Sequence, residues 1–284
     1  MNIPINYKVV GNYLELHSKE IEVMALGTSQ MKNAFNPALS QKNAINFGST
    51  SQHHNEDFII LKETIDRLPK LKYVVMEVSA NHLELPHHSN DYWKNTVYLN
   101  YYNVNAFERQ ITFKDRLVYL SNPRFYSRQL SDYYLYKNER PKLNKYGFDT
   151  DNYDGAFRDL NYDESKIATH KFRIVTREDL TIFKKNIAYL FEMLDYMKQQ
   201  NLKVIICTVP LYKTYLNKRK PNVVRRRDSM LSVIKNKYDN VVLLNKETDT
   251  TLFTVKDFLN ENHLNPDGAK KFTALANQKL DSFN

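Results

Sequence analysis

The chain has 284 residues, 42% of them hydrophobic, which is enough to bury the core of one large α/β domain or of two small ones. Its 20 Tyr and 15 Phe against 6 Gly exclude a loop-rich or low-complexity protein. The formal net charge is +9, and the single cysteine excludes an internal disulfide and a CxxC metal site.

The first twenty residues are polar, and we expect an extended lead-in that runs directly into the first strand. The sequence has no run of about 18 apolar residues and no signal peptide, so it predicts no membrane-spanning helix within the chain. Such a start fits a cytoplasmic protein, and it also fits a chain that follows directly on a membrane anchor.

Apolar runs alternate with amphipathic segments along most of the chain after residue 20. This alternation predicts an α/β fold in which helices cover both faces of a central parallel sheet. The predicted strands are 21–27, 44–48, 71–79, 202–210 and 240–245, and the predicted helices are 30–41, 54–68, 177–200, 222–237 and a last helix that begins near residue 266.

Residues 86–170 interrupt this alternation, because they are rich in Tyr, Asn and Asp and their apolar positions are scattered. We expect a large helical and loop insertion that covers the carboxyl ends of the strands, within a single domain spanning 1–284. Its tyrosines would either contact a sugar substrate or pack against one another inside the insertion.

The positive charge is concentrated after the fourth predicted strand. An anionic glycan or the headgroup layer of a membrane would suit such a cluster, and so would nucleic acid. The alternative is an ordinary solvated face beside the start of a helix. No motif of a nucleic-acid-binding module accompanies the cluster, so we expect no nucleic acid partner. The residues are Lys213, Lys218, Arg219, Lys220, Arg225, Arg226 and Arg227.

Ser29 stands where the first buried strand gives way to a helix, in the stretch MALGTSQM. One interpretation is a helix N-cap, which is a common role for serine. The other is a nucleophile, which needs a base to take its proton and donors to hold the resulting oxyanion. Backbone N–H groups at the start of the helix could supply such donors.

A candidate base, His263, lies in NENHLNPDG, just before the helix that begins near Pro266. We expect it on a loop after the fifth strand, at the same rim of the sheet as Ser29, Gly48 and residues 79–82. A lone histidine there could be an ordinary surface residue. If the two act together, Ser29 Oγ and an imidazole nitrogen of His263 should lie within about 4 Å.

These motifs resemble those of the SGNH (GDSL-type) hydrolases: GTSQ after the first strand, NFG after the second and NHLNPDG near the end. Residues 2–37 are similar to a bacterial cell-envelope branch of that family, whose members carry an N-terminal membrane helix. The resemblance covers residues 7–80 and 177–282, and it implies a three-layer, flavodoxin-like fold. It does not extend to residues 86–170.

The resemblance also implies roles for individual residues. Ser29 matches the nucleophile, and His263 matches the base. The backbone N–H groups of Ser29 and Gly48 match oxyanion donors. Asn81 matches the side-chain donor, although Ser79 stands where the family has glycine.

The acid of the catalytic triad is the clear departure from the family, which has Asp where this chain has Asn260. An asparagine can fix the tautomer of His263, but it cannot stabilise the imidazolium by charge. Asp257 and Glu261 are near in sequence but do not have the family spacing. Three possibilities therefore stay open: a Ser–His dyad, a different acceptor for the His263 ring, or an inactive site. Thr28 replaces the Asp of the GDS motif, which we expect to be tolerated.

Two pairs of adjacent histidines, His53-His54 and His87-His88, raise the question of a metal site. Adjacent histidines rarely bind one ion, and spaced acidic or Cys partners are missing from the sequence around them. We therefore expect no metal and no cofactor, although His53 or His54 could line the pocket.

The family resemblance implies a serine esterase that removes O-acyl groups, with an acylated envelope carbohydrate or another small ester as its partner. Acyl transfer by the same Ser–His pair is one alternative, and a non-catalytic binding or assembly protein is another. The same resemblance implies an extracytoplasmic, membrane-anchored location, with the cytoplasm as the alternative.

Overall fold

The computed structural model describes residues 5–87, 93–136, 141–174 and 177–283. At its centre lies a sheet of five parallel strands in the order β2-β1-β3-β4-β5, which confirms the predicted α/β class. A short antiparallel pair, β6 and β7, lies apart from it. The strands are β1 (Val23–Leu26), β2 (Ala44–Asn46), β3 (Tyr73–Glu77), β4 (Lys203–Thr208), β5 (Val241–Asn245), β6 (Phe258–Asn260) and β7 (His263–Leu264).

Helices cover both faces of the sheet and form two apolar cores. One core contains side chains of α1, α3, α9 and α11, and the other contains side chains of α2, α7, α8 and α12. The helices are α1 (Asn6–His17), α2 (Ser29–Ala34), α3 (His54–Thr64), α4 (Trp93–Tyr102), α5 (Val118–Ser121), α6 (Pro123–Tyr134), α7 (Ala156–Asp159), α8 (Glu164–Thr169), α9 (Leu180–Gln199), α10 (Lys213–Leu216), α11 (Pro221–Lys237) and α12 (Pro266–Asp281).

The side chains of β1 show why the sheet needs helices on both sides. Met24 and Leu26 point into one core, whereas Val23 and Ala25 point into the other. Successive side chains of a strand face opposite sides, so a strand buried on both faces is apolar at every position. This explains the continuous apolar runs in the sequence.

The strand order reverses between β1 and β3. In doubly wound sheets ligands bind at such a switch point, outside the carboxyl ends of the strands. The turn after β1 leads into α2, which begins at Ser29. The sheet therefore places Ser29 at the position where this class of fold forms its binding site.

The expected extended lead-in is wrong, because residues 6–17 form α1. Val10, Tyr13 and Leu14 are buried, at the i, i+3 and i+4 spacing of one helical face. The polar residues that dominated the sequence pattern occupy the outer face. In the described residues, no helix has the length and apolar character needed to cross a membrane.

The predicted helix at 30–41 is too long, since α2 ends at Ala34. Pro37 restricts the residue before it to extended backbone, and Asn36 has φ −95° and ψ 106°. The Asn36 side chain then accepts a hydrogen bond from the Ala38 N–H and caps a short 3-10 turn.

Within residues 86–170, α4 packs against α1, and α7 packs against β6. A Cβ added at Gly155 would lie 2.5 Å from the carbonyl oxygen of Leu259, so this segment approaches the β6 backbone closely. Residues 88–92 and 137–140 lie outside the described part of the segment. Its status as an insertion within one domain stays an interpretation.

Candidate active site

The start of α2 is held by a residue that the sequence analysis did not single out, Glu77 at the end of β3. Its Oε2 accepts hydrogen bonds from the Thr28 N–H at 2.9 Å and the Met31 N–H at 3.1 Å. The Thr28 hydroxyl also donates to this carboxyl group, at 2.8 Å to Oε2. Glu77 thereby ties β3 to the turn between β1 and α2.

Thr28 rather than Ser29 is the N-cap of α2, because its Oγ1 accepts the Gln30 N–H at 3.1 Å. The N-cap interpretation of Ser29 is therefore wrong, and Thr28 has a function of its own. Ser29 is the first helical residue, so its N–H has no acceptor within the helix. Its hydroxyl is free of any capping role.

Gly27 allows the turn between β1 and α2 to pass close to Glu77. Its φ of +144° is a conformation that side chains rarely adopt. A Cβ at this position would lie 2.7 Å from the Glu77 Cβ and 2.9 Å from its Oε2. Glycine is thus required on two grounds, backbone conformation and space.

Ser29 and His263 meet directly, with Ser29 Oγ 2.8 Å from His263 Nε2. This confirms the predicted proximity of residues that are 234 positions apart in sequence. His263 lies in β7, paired with β6, rather than on an irregular loop. The hairpin fixes the imidazole against the start of α2.

Asn260 orients the imidazole from its other side. Its Oδ1 lies 3.0 Å from His263 Nδ1, and it also accepts the backbone N–H groups of Asn262 and His263, each at 3.1 Å. An amide oxygen only accepts, so Nδ1 carries the proton and Nε2 presents its lone pair to the Ser29 hydroxyl. This is the tautomer that a general base requires.

The two acidic residues near Asn260 are bonded elsewhere, so neither is the acceptor for the His263 ring in this structure. Asp257 caps the turn at Thr254 and pairs with Lys271, at 2.7 Å to each nitrogen. Glu261 lies 2.8 Å from His170 Nδ1. In the described part of the chain, no carboxylate is bonded to the His263 ring.

Burial, together with the nearby positive charge of Lys32, lowers the pKa of His263 from 6.5 to about 4. Desolvation disfavours the charged imidazolium, and the lysine adds like-charge repulsion. The ring is therefore neutral near pH 7 and can accept a proton. The same two effects raise the free energy of the imidazolium that forms during catalysis.

Gly48 does not present the free backbone donor that the family resemblance implies. Its N–H donates to Asn46 Oδ1 at 2.8 Å. The Asn46 amide is itself fixed, because its Nδ2 donates to the carbonyl oxygens of Met31 at 3.1 Å and Phe35 at 2.7 Å. Gly48 would have to share or release this bond to stabilise an oxyanion.

Asn81 is also engaged, since its Nδ2 donates to the Tyr215 hydroxyl at 3.0 Å. An amide nitrogen carries two hydrogens, so this bond uses half of its donor capacity. No pattern in the sequence indicated Tyr215, which lies in α10 and reaches Asn81 only through the fold. Asn46 competes for the Gly48 N–H, and Tyr215 competes for the Asn81 amide. The Ser29 N–H, the third implied oxyanion donor, is bonded to neither of them.

Glu77 could have been found from the sequence as the one carboxylic acid inside the apolar run YVVMEV. It is fully buried, and burial raises the pKa of its carboxyl group. Ionisable residues are almost never fully buried without partners, so such a residue indicates a specific contact. Here the contact is with the backbone of the turn that carries Ser29.

The histidine pair His53-His54 is buried rather than exposed in a pocket. His53 caps α3, and His82 packs against both rings, with centroids 5.0 and 4.9 Å away. Burial lowers the pKa of His53 to about 4 and that of His82 well below 6.5. Among the described residues, no three His, Cys, Asp or Glu side chains are placed to hold one metal ion. His88 lies outside the described residues.

Much of the predicted basic cluster is neutralised by buried carboxylates. Arg227 is 1% exposed and donates to Glu247 Oε2 at 2.7 Å. Arg219 pairs with the same carboxylate, and the Nε of Arg226 donates to Glu84 at 2.7 Å. Arg226 and Arg227 join α11 to its neighbours. Less cationic surface is therefore left for a membrane or a glycan than the sequence suggested.

Two solved structures are similar to this chain over almost its whole length. One is a proposed acylhydrolase from Bacteroides fragilis NCTC 9343, with a TM-score of 0.45 and 11% identity over 95% of each chain. The other is a proposed platelet activating factor from Streptococcus pneumonia, with a TM-score of 0.45 and 8% identity over 97% of this chain and 91% of the other. No protein-family model and no curated protein matches the sequence. Similarity at this level carries no information on activity, which has to be argued from the geometry of the site.

Proposed function

We propose that this protein is a serine esterase that removes O-acyl groups from a small substrate. The observation that carries the proposal is the 2.8 Å contact between Ser29 Oγ and His263 Nε2, with Asn260 bonded to Nδ1. Nucleophile, base and orienting residue are in the order that acyl transfer requires. An O-acylated envelope carbohydrate is the substrate class that we favour within this proposal.

In the proposed reaction, Ser29 Oγ attacks the acyl carbon while its proton moves to His263 Nε2. The alcohol leaves with that proton, and the acyl group stays on Ser29. Water then attacks the acyl-enzyme while giving a proton to His263, and His263 returns that proton to Ser29 Oγ as the bond to the acyl group breaks and the acid leaves. The Ser29 N–H is the donor best placed to stabilise the oxyanion in both steps.

A non-catalytic binding protein is the second candidate, and a specific observation favours it. The Gly48 N–H and one Asn81 hydrogen are occupied by Asn46 and Tyr215. Loss of an oxyanion donor costs about 10²–10³-fold in rate, so two engaged donors would leave a slow enzyme or none.

Phosphonate labelling separates these two functions. A fluorophosphonate should modify Ser29 of the native protein, with the adduct located by peptide mass spectrometry, because only an activated hydroxyl reacts quickly. His263→Ala should abolish the adduct. Native protein that stays unmodified under conditions that label a known serine esterase would favour the binding protein.

Asn260→Asp should raise the hydrolysis rate of an activated ester by about tenfold or more, because a carboxylate stabilises the imidazolium by charge. It should also raise the pKa of His263 above its native value of about 4. The neutral ring is the base, so activity increases with pH through this pKa, and the acid limb of the rate profile should move to higher pH. Rates measured from about pH 4 to pH 8 test both effects.

Asp257→Asn is the matched control for Asn260→Asp, since Asp257 is bonded to Thr254 and Lys271. It should leave the position of the acid limb unchanged. A limb that moves with Asp257→Asn and not with Asn260→Asp would contradict the role given to Asn260.

A further inference from the structure

Exposed apolar side chains are concentrated between residues 111 and 136, on α5, α6 and the turn before them. Of the thirteen large hydrophobic side chains that are exposed in the described residues, eight lie in this stretch. Monomeric proteins rarely expose such a group of side chains unless it forms an interaction site. Five of the eight are close in sequence and form what we call the 111–120 face: Ile111, Phe113, Leu117, Tyr119 and Leu120.

A buried carboxylate holds the 111–120 face in place. Asp115 is 4% exposed, and its Oδ1 accepts the Thr96 hydroxyl of α4 at 2.9 Å. Its Oδ2 accepts the Thr112 N–H at 2.8 Å and a guanidinium N–H of Arg109 at 3.1 Å. The turn is therefore fixed to α4 by polar contacts, while the apolar side chains on either side of Asp115 stay in solvent.

Basic side chains lie among the apolar ones. Four of them are exposed in the same stretch: Lys114, Arg116, Arg124 and Arg128. In the described part of the chain, no carboxylate lies within ion-pair distance of the first three. Of the acidic residues nearby, Asp115 is paired with Arg109, and Asp132 lies 3.8 Å from Arg128. The surface around the 111–120 face is therefore positively charged.

The 111–120 face continues into a groove of about 550 Å³, which Leu117, Tyr119 and Leu120 line on one side. Tyr126 and Ile5 belong to its other walls, and Arg116 lines it as well. A hydrocarbon chain suits walls of this kind, and a guanidinium group suits a phosphate. The groove thus combines the two chemical characters of a phospholipid.

The mixture of aliphatic and basic side chains distinguishes the possible partners. Sugars and nucleic acid bases stack on aromatic rings, and Ile111, Leu117 and Leu120 offer no such surface. A second copy of this chain would bring the same positive charge against itself, which opposes self-association. At a bilayer surface, apolar side chains enter the boundary between headgroups and acyl chains while Lys and Arg contact anionic headgroups. An anionic bilayer therefore satisfies both kinds of side chain.

We propose that the 111–120 face docks this protein on the surface of an anionic lipid bilayer. Ile111, Phe113 and Leu120 enter the interface, and Lys114 and Arg116 contact the phosphate groups. This docking is independent of the proposed esterase function, because it uses neither member of the Ser–His pair.

Co-sedimentation with vesicles tests the docking on the native protein. Vesicles of phosphatidylcholine with about 30 mol% phosphatidylglycerol should bind at least about tenfold more tightly than vesicles of phosphatidylcholine alone. Binding should weaken as the NaCl concentration increases, because salt screens the attraction. Native protein that binds neither kind of vesicle, or both equally, would overturn the proposal.

Two variants separate the apolar and the charged contributions. The double variant Phe113→Ser, Leu120→Ser should weaken binding to anionic vesicles at least about tenfold. The triple variant Lys114→Gln, Arg116→Gln, Arg124→Gln should weaken it at least about 30-fold. All five side chains are exposed, so the melting temperature should stay close to that of the native protein. Unchanged binding in either variant would contradict the assigned face.

Matched controls carry the same kinds of substitution elsewhere. Leu180→Ser removes an exposed leucine of α9, and Lys235→Gln removes an exposed charge of α11. Both should bind anionic vesicles like the native protein. A loss as large as in the face variants would show that general charge or hydrophobicity, and not this face, causes the binding.

A fluorescent probe shows which surface meets the bilayer. Cys207 is buried, so a polarity-sensitive thiol dye should label a cysteine introduced by Gln110→Cys, beside the 111–120 face. Its emission should shift to shorter wavelength on anionic vesicles, whereas the same dye on Ser232→Cys of α11 should not shift. A shift at Ser232, or none at Gln110, would contradict the proposal. Dimerisation that Phe113→Ser abolishes, without vesicle binding, would assign the face to a second copy of this chain and overturn the membrane contact.

Discussion

Ser29→Ala should lower kcat for p-nitrophenyl acetate hydrolysis by at least about 10³-fold. Alanine removes the only atom that can form the acyl-enzyme, while the turn that holds it stays intact. That turn depends on Glu77 bonds to Thr28 and Met31, none of which involves the Ser29 side chain. The melting temperature should therefore stay close to that of the native protein, and the loss should be purely catalytic.

Ser232→Ala is the matched control, because it removes a hydroxyl from the exposed surface of α11. His263→Ala should cost about as much as Ser29→Ala, and the double variant should cost no more than either one, since the two residues act as a unit. Activity that survives Ser29→Ala unchanged would remove the serine mechanism. Costs that multiply in the double variant would show that the 2.8 Å contact is not a functional pair.

Glu77→Ala should lower the free energy of unfolding by about 3 kcal/mol and also abolish activity. It leaves the N–H groups of Thr28 and Met31 without their acceptor and opens a cavity at the end of β3. A buried donor without a partner costs about 1–3 kcal/mol, and the cavity adds to this. Without that acceptor, the first turn of α2 no longer holds Ser29 against His263.

Glu77→Gln separates the hydrogen bonds from the charge. Burial raises the pKa of Glu77, which favours the neutral acid, and an amide of nearly the same shape can accept the same two N–H groups. The glutamine variant should therefore lose only about 1 kcal/mol and keep most of its activity. Denaturant unfolding at constant pH measures both variants. Equal losses for alanine and glutamine would show that charge, and not hydrogen bonding, stabilises the turn.

The hydrophobic periodicity of the sequence predicted the central sheet and the residues at its rim. Strands buried on both faces are apolar at every position, so their runs stand out without knowledge of their neighbours. Parallel strands bring their carboxyl ends to one rim, which is why Ser29 and His263 could be expected to meet from positions 234 residues apart. The orienting contact from Asn260 was implied by the family resemblance, since Asn260 stands where the family has Asp.

Residues 6–17 show that the local sequence pattern does not decide whether a segment is helical. Three buried side chains on one face of α1 are outnumbered by polar residues on the other, so the polar character dominated the prediction. The helix is stabilised by packing against α4 and the sheet, and both of these partners are remote in sequence. Tertiary burial, rather than intrinsic propensity, supplies most of the stability of such a helix.

The sequence alone determined the parallel α/β architecture and the meeting of Ser29 with His263, because both depend on strand periodicity and chain direction. Only the tertiary structure decided which polar groups are free to act. Whether the N–H of Gly48, the amide of Asn81 or the guanidinium of Arg227 already has a partner depends on Asn46, Tyr215 and Glu247. A hydrogen bond or an ion pair needs atoms within about 3 Å, and only packing of the complete chain sets distances on that scale.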